Sequence, residues 1–210
     1  VMTPDGSLPH VAPAGGGGGG PYWCGFIVLA PWRTYLNYGD LRILEEYYPK
    51  MKQWMGYVDA NTRDGLLRRW PDTENRMWYL GDWLAPAGVD AGNGQSVDLV
   101  NNCFVSECLE KMERIATELS LPGEAAEWRR KRLALNAAIH YNFYDSENRQ
   151  YATGSQLDMS YPMLVGAVPA HLRDAMRDRM LELSATRWRG NIGAGLVGVP
   201  IVTQWAIDEA

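Results

Sequence analysis

Seven residues of this chain repeat with a step that only one kind of element satisfies. Val105, Cys108, Leu109, Met112, Ile115, Ala116 and Leu119 recur three and four positions apart, the stripe of an amphipathic helix. The same step returns in Met51, Trp54, Met55 and Val58, and after Pro122 in Trp128, Leu135 and Ile139. It returns again in Leu157, Tyr161, Leu164 and Val165, and after Pro169 in Leu172, Ala175, Met176, Met180 and Leu183. Val202, Trp205 and Ala206 close the series. Period-two alternation, the mark of a half-buried strand, is nearly absent. The pattern predicts an all-α chain of about seven helices joined as antiparallel hairpins. Such hairpins build either an α-solenoid or part of an α/α toroid. The repeats keep no fixed period, which disfavours a solenoid of the tetratricopeptide type.

The punctuation between these stripes is equally specific. Gly39-Asp40 reads as a helix stop followed by an N-cap, and Tyr48-Pro49 as the start of another helix. Residues 64–95 are rich in Gly, Pro, Asp and Asn and carry Trp70, Trp78 and Trp83. A long irregular stretch of that kind between helices is where binding residues tend to sit. Residues 1–21 read as loop, and the glycine run within 14–21 reads as flexible or as an added linker. It is no phosphate cradle, since no strand precedes it and no Lys-Ser/Thr follows it. Gly190 to Gly198 reads as a second glycine-rich loop.

At 210 residues the chain has the length of one domain or a large piece of one. Its formal net charge of −5 and its lack of a basic face beyond Arg129 to Arg132 exclude a nucleic-acid partner. No apolar run has the length of a membrane span, so no membrane partner is expected. The chain opens at Val1 with no signal pattern and reads as lacking its true start. The three cysteines form no CxxC pair, and Cys103 and Cys108 are expected as small core residues. The three histidines, His10, His140 and His171, show no metal-ligand spacing, so neither a metal nor a cofactor is expected. The aromatic count is unusual: nine Trp and eleven Tyr against three Phe. Trp and Tyr combine a flat apolar face with a polar edge, and a sugar ring presents an apolar C–H face inside a rim of hydroxyls. That match points to carbohydrate, although most of these rings are needed simply to pack helices.

Several segments, in order, resemble the catalytic domain of bacterial α-L-rhamnosidases, glycoside hydrolase family 78. They are Pro4-Asp5-Gly6-Ser7-Leu8-Pro9 with Ala12-Pro13; Trp23 with Pro31-Trp32, Tyr35 and Tyr38-Gly39-Asp40; and Tyr47-Tyr48-Pro49 with Met51 and Trp54. Leu80-Gly81-Asp82-Trp83-Leu84 is the most telling; Ile115-Ala116, Gly154-Ser155-Gln156 and Gly195-Leu196-Val197-Gly198 follow. The resemblance implies part of an (α/α)6 barrel over residues 1–210 and hydrolysis of terminal α-L-rhamnosyl groups with inversion. Inversion needs an acid for the leaving oxygen and a base for water, about 6.5–9.5 Å apart. The resemblance places the acid in a segment before the Asp-Gly-x-Leu-Pro stretch and the base in one after Gly-x-Val-Gly. Neither segment is found, so no catalytic acid or base is identified in this chain.

The resemblance implies substrate-binding roles for Trp83, Asp82 and Trp23. For Asp82 the competing role is a loop carboxylate that caps a neighbouring helix. The stretch after Trp23 departs from the family's Trp-Gly-Asp-Ala, with Cys24, Gly25 and Phe26 in its place, so the carboxylate is missing there. Trp32 is expected in the core, and Glu45, Glu46 and Glu107 on solvated faces or as inter-helix partners. Asp90 and Asp98 are expected to flank a helix start, where an acid favours the dipole. Two other classes stay open: another toroid carbohydrate enzyme, such as a lyase or glucuronyl hydrolase, and a non-catalytic helical binding scaffold. His140-Tyr141 resembles the proton-transfer pair a lyase needs, but it sits within a regular helix, where adjacent residues point apart. A partial barrel also exposes apolar helix faces, so self-association or a molten state is expected.

Overall fold

The computed structural model describes residues 2–10, 19–69, 79–86 and 94–209. Trp70, Trp78, Asp90, Ala12-Pro13 and the first part of the glycine run lie outside them. Eight α-helices occur among the described residues: α1 (Pro21–Cys24), α2 (Phe26–Tyr38), α3 (Arg42–Ala60), α4 (Gln95–Glu118), α5 (Pro122–Phe143), α6 (Gln156–Leu164), α7 (Arg173–Thr186) and α8 (Gly198–Glu209). A 3-10 turn at Ala170–Leu172 leads into α7. Two short antiparallel hairpins interrupt the helices: β1 (Thr62–Arg63) with β2 (Leu66–Leu67), and β3 (Tyr144–Asp145) with β4 (Gln150–Tyr151).

The packing order makes a two-layer arc. α2 packs on α4, α4 on α6 and α6 on α8, which forms an inner row. α3, α5 and α7 back α2, α4 and α6 as an outer row. This is three helical hairpins and the first helix of a fourth, part of an all-α toroid. Inside the first hairpin the connection is tight. Gly39 closes α2 in the left-handed conformation, φ 69°, with its N–H on the Tyr35 carbonyl, and Asp40 Oδ1 accepts the N–H of Arg42 at the start of α3. The connections from an outer helix to the next inner one, across 61–94, 144–155 and 187–197, are long. All three therefore deliver chain to the N-terminal ends of inner helices, and irregular backbone collects at that end of the arc.

The expected helix start at Tyr48-Pro49 is not there: α3 runs unbroken from Arg42 to Ala60 with Pro49 inside it. An interior proline costs about 3 kcal/mol. Against that, Leu44, Tyr48, Met51, Trp54, Met55 and Val58 form one continuous buried face across the proline, each contributing about 1.5–3 kcal/mol. Burial wins by a wide margin, so the helix continues. α4 is the centre of the core: Val97 to Ser106 are all buried except Asp98 at its start, including Asn101 and Asn102. Trp32, Cys103 and Cys108 are buried as expected.

The N-terminal segment docks on α3. Gln53 Nε2 donates to the Pro4 carbonyl at 3.0 Å. Gly6 has φ +96°, and a Cβ there would meet the Gln53 carbonyl oxygen at 2.5 Å. The Asp-Gly step is thus a turn that only glycine lets approach the helix.

Candidate functional site

Asn101, in the first half of α4, assembles the site. Its Nδ2 donates to the Leu80 carbonyl at 2.9 Å and its Oδ1 accepts the Tyr22 N–H at 3.2 Å. Leu80 N–H reaches the Gly19 carbonyl at 3.2 Å, in a parallel bridge between Gly19 and Tyr79. One buried amide therefore joins two segments far apart in sequence. The described end of the glycine run is held, and Pro21 already belongs to α1. Gly20 sits where a Cβ would meet Asn101 Oδ1 at 2.6 Å.

This junction brings the aromatic candidates together. Trp23 Nε1 donates to the Gly81 carbonyl at 3.3 Å. Its ring centroid lies 5.6 Å from that of Trp83, with the planes at 54°. Both rings are half-buried, so each keeps exposed surface. Tyr22, missed at the level of sequence, sits 6.3 Å from Trp23 and 5.0 Å from Phe104, ring to ring. Burial, with the negative charges of Glu107 and Asp82, pushes the Tyr22 hydroxyl up to about 12, so it stays a neutral hydrogen-bonding group.

Asp82 is buried, and its carboxylate is engaged by backbone. Oδ2 accepts the Gly195 N–H at 2.7 Å; Oδ1 accepts those of Val197 at 3.0 Å and Gly198 at 2.8 Å. The Leu196 N–H goes to the Trp83 carbonyl at 2.8 Å. Four consecutive amides at the start of α8 are thus satisfied by residues 82 and 83. A carboxylate at a helix N-terminus is where dipole and open N–H groups favour it. The geometry gives Asp82 the capping role. The two glycines permit the approach: a Cβ on Gly195 would meet the Trp83 carbonyl oxygen at 2.2 Å, and one on Gly198 would meet Asp82 Oδ2 at 2.7 Å. The two motifs read separately, Leu80 to Leu84 and Gly195 to Gly198, are the two halves of one clamp that sets the backbone of Trp83.

A second clamp lies beside it. Ser155 caps α6 by accepting the Asp158 N–H at 3.1 Å. Gln156 donates to the Asn191 carbonyl at 3.2 Å and accepts the Gly193 N–H at 2.6 Å, which holds the loop before α8. Asp158 is fully buried on Ser96 Oγ, 2.6 Å away, and on the Thr153 N–H and hydroxyl. Desolvation raises its pKa in spite of these donors. Asn102 fixes β2 through the Leu67 N–H at 2.9 Å. The available sequence signal for these clamps was polar residues at apolar-stripe positions, such as Asn101-Asn102 within α4.

The remaining candidates take other structural roles. Glu107 is an inter-helix partner, accepting the Tyr161 hydroxyl at 2.8 Å. Asp98 lies in the first turn of α4 and pairs with Arg69 at 3.0 Å, beside a cavity of about 430 Å³ between β2 and α4. His140 and Tyr141 lie on the outer helix α5. His140 shares a 2.7 Å hydrogen bond with Tyr151, while Tyr141 is exposed, so the pair does not converge on one substrate atom. Burial pushes the Cys24 thiol up to about 12 and also raises the Cys103 and Cys108 thiols well above their ordinary range, which leaves no thiolate nucleophile among them. Among the described residues no group of three His, Cys, Asp or Glu side chains is arranged to hold a metal. No helix among them is long and apolar enough to cross a membrane.

Comparison with known proteins adds to this geometry. The family model described as the bacterial alpha-L-rhamnosidase 6 hairpin glycosidase domain matches residues 1–210. An alpha-L-rhamnosidase of Alteromonas sp. (strain LOR) is 26% identical over 195 residues, which is 90% of this chain and 20% of that protein. One from Formosa agariphila is 22% identical over 189 residues, 89% of this chain and 19% of that protein. Among solved structures, the Streptomyces avermitilis alpha-L-rhamnosidase complexed with L-rhamnose superposes with a TM-score of 0.80 at 25% identity, over 99% of this chain and 19% of that one. The alpha-L-rhamnosidase from Dictyoglumus thermophilum gives 0.85 at 20% identity, over 99% and 23%, a likeness of fold. The chain spans about a fifth of the length of the curated relatives it matches.

Proposed function

Because the chain belongs to the bacterial α-L-rhamnosidase six-hairpin glycosidase family, we propose that it forms the sugar-binding wall of an enzyme that removes terminal α-L-rhamnosyl groups with inversion. The observation that carries this is the Trp23–Trp83 pair, 5.6 Å apart and half-buried at the end of the arc where irregular backbone collects. Two tilted indoles offer apolar faces to the C–H face of a pyranose, which is removed from water when it stacks on them. Asp82 acts as a positioning residue: through the amides of 195, 197 and 198 it holds the loop whose next amide, Leu196, fixes Trp83. The carboxylic acid that protonates the leaving oxygen and the carboxylate that activates water come from segments outside these 210 residues. The wall contributes orientation and exclusion of water, which raise the effective concentration of the reacting groups.

The test is a titration of the chain with L-rhamnose, followed by tryptophan fluorescence. A saturable change is expected in the wild type, and its loss in Trp83→Ala. No change at high millimolar sugar sinks the proposal. With the flanking segments present, an aryl α-L-rhamnoside should be hydrolysed with inversion at the anomeric carbon, and the Trp83→Ala variant should show a raised KM.

A further inference from the structure

Deepening the proposed sugar site, and resting on it, a second polar group stands beside the aromatic wall. Glu107 lies on α4, three residues beyond Phe104, so both share a face of the helix. Phe104 carries the Tyr22 ring at 5.0 Å, and Tyr22 adjoins Trp23 at 6.3 Å, which adjoins Trp83 at 5.6 Å. Tyr22, Trp23, Trp83 and Glu107 are all half-buried and reach solvent, whereas their neighbours on α4 from Leu99 to Ser106 are buried. The carboxylate is held on one side only. The buried Tyr161 hydroxyl of α6 donates to Oε2 at 2.8 Å. Among the described residues, no group bonds Oε1 and no cation pairs with Glu107. The nearby Lys111 and Arg114 of the same helix are both taken by Glu110. A carboxylate with one oxygen oriented by a buried donor and the other open to solvent is positioned to accept a hydrogen bond from a ligand.

We infer that Glu107 is a specificity-determining contact of the sugar site, its Oε1 accepting a hydroxyl of the sugar that stacks on Trp23 and Trp83, with Tyr161 fixing its orientation. The raised Tyr22 hydroxyl, which feels both Glu107 and Asp82, agrees with that placement. A carboxylate that accepts a hydroxyl discriminates against an analogue lacking that hydroxyl, because its lone pair is then left without a partner.

The experiment compares wild type, Glu107→Gln and Tyr161→Phe for binding L-rhamnose and its singly deoxygenated analogues, by tryptophan fluorescence. A charge-assisted hydrogen bond predicts that Glu107→Gln weakens L-rhamnose binding at least about tenfold. It also predicts that one deoxy analogue binds wild type and variant alike. Gln keeps an oxygen for the Tyr161 hydroxyl, so its melting temperature should stay near wild type. Tyr161→Phe should weaken L-rhamnose binding to a smaller extent. A purely inter-helix role would instead lower the melting temperature and leave the ranking of the analogues unchanged; that result, or Glu107→Gln binding within about twofold of wild type, overturns the inference and leaves the sugar site standing. A wild type that binds no L-rhamnose overturns the site reading, and this inference with it.

Discussion

Asp82 is buried and ties two distant loops together with a single carboxylate. Its two oxygens accept three backbone N–H groups at 2.7–3.0 Å from residues more than a hundred positions away. An asparagine there keeps the shape but offers one oxygen, so its NH2 faces a donor and at least one buried amide loses its partner. Hydrogen bonds to a charged group contribute about 1.5–3 kcal/mol, and an orphaned buried donor costs about 1–3 kcal/mol. Asp82→Asn should therefore lose about 2–4 kcal/mol in urea denaturation, with the midpoint falling and the slope unchanged. A loss under about 0.5 kcal/mol would mean that the carboxylate is not holding the loop. Trp23, Asp82 and Trp83 could be picked out one by one from the sequence, as could Gly195 and Gly198. That Asp82 and the two glycines form one clamp was not legible, because a contact between loops 113 positions apart leaves no local periodicity. Tyr22 is illegible in sequence for the same reason: its role is set by Phe104 and Glu107 on another helix.

Among the elements, legibility follows how local the cause is. The α2 stop at Gly39 was readable because a left-handed residue with its N–H on Tyr35 is a property of five adjacent residues. The α5 start at Pro122 was readable because proline suits a first turn. The α3 boundary at Pro49 was misread because the local signal there loses to a buried face supplied by tertiary packing. The β3–β4 hairpin was also missed; two-residue strands carry no alternation, and it is held by rings. Tyr144 and Tyr151 pair across the strands with centroids 5.3 Å apart, and His140 stacks on Tyr144 at 4.9 Å and bonds Tyr151 at 2.7 Å. Burial, then the nearby His171, lowers the His140 pKa below its ordinary 6.5 in the folded chain. The unfolded chain therefore binds the proton first as pH falls, and the stability His140 contributes is present above 6.5 and lost on acidification from 6.5 down to the folded value. Hydrogen exchange of the Ala152 amide, which bonds the Phe143 carbonyl, should accelerate beyond its intrinsic pH dependence across that window. His140→Gln should abolish the excess, and equal behaviour in the two chains would show that the hairpin does not sense this histidine.

Across the whole molecule, the inner row of helices ends in faces that no other described residue covers. On α8, Ile201, Val202 and Trp205 are buried against the arc, whereas Val199 and Ile207 are exposed, Ile207 to 73%. Leu84 and Leu196, at 62% and 61%, flank the clamp at the same end. Against this, one continuous buried cluster runs from Leu8 to Trp205. Such a core predicts one cooperative unfolding transition, and the open edges predict self-association. Apolar edges of this kind pair with a second copy when no other helix is offered. Sedimentation velocity should show a concentration-dependent shift from monomer to larger species. A net charge of −5 opposes association only through screened repulsion, so added salt should strengthen it rather than weaken it. The double variant Val199→Glu with Ile207→Glu sets two carboxylates on the open face and should return the chain to monomer, with its melting temperature unchanged because neither residue is buried. A wild type that stays monomeric at every concentration would show that the open face of α8 is tolerated in water. Association that survives the double variant would move the contact to α2, where Phe26 and Leu36 are the exposed apolar residues at the other end of the arc.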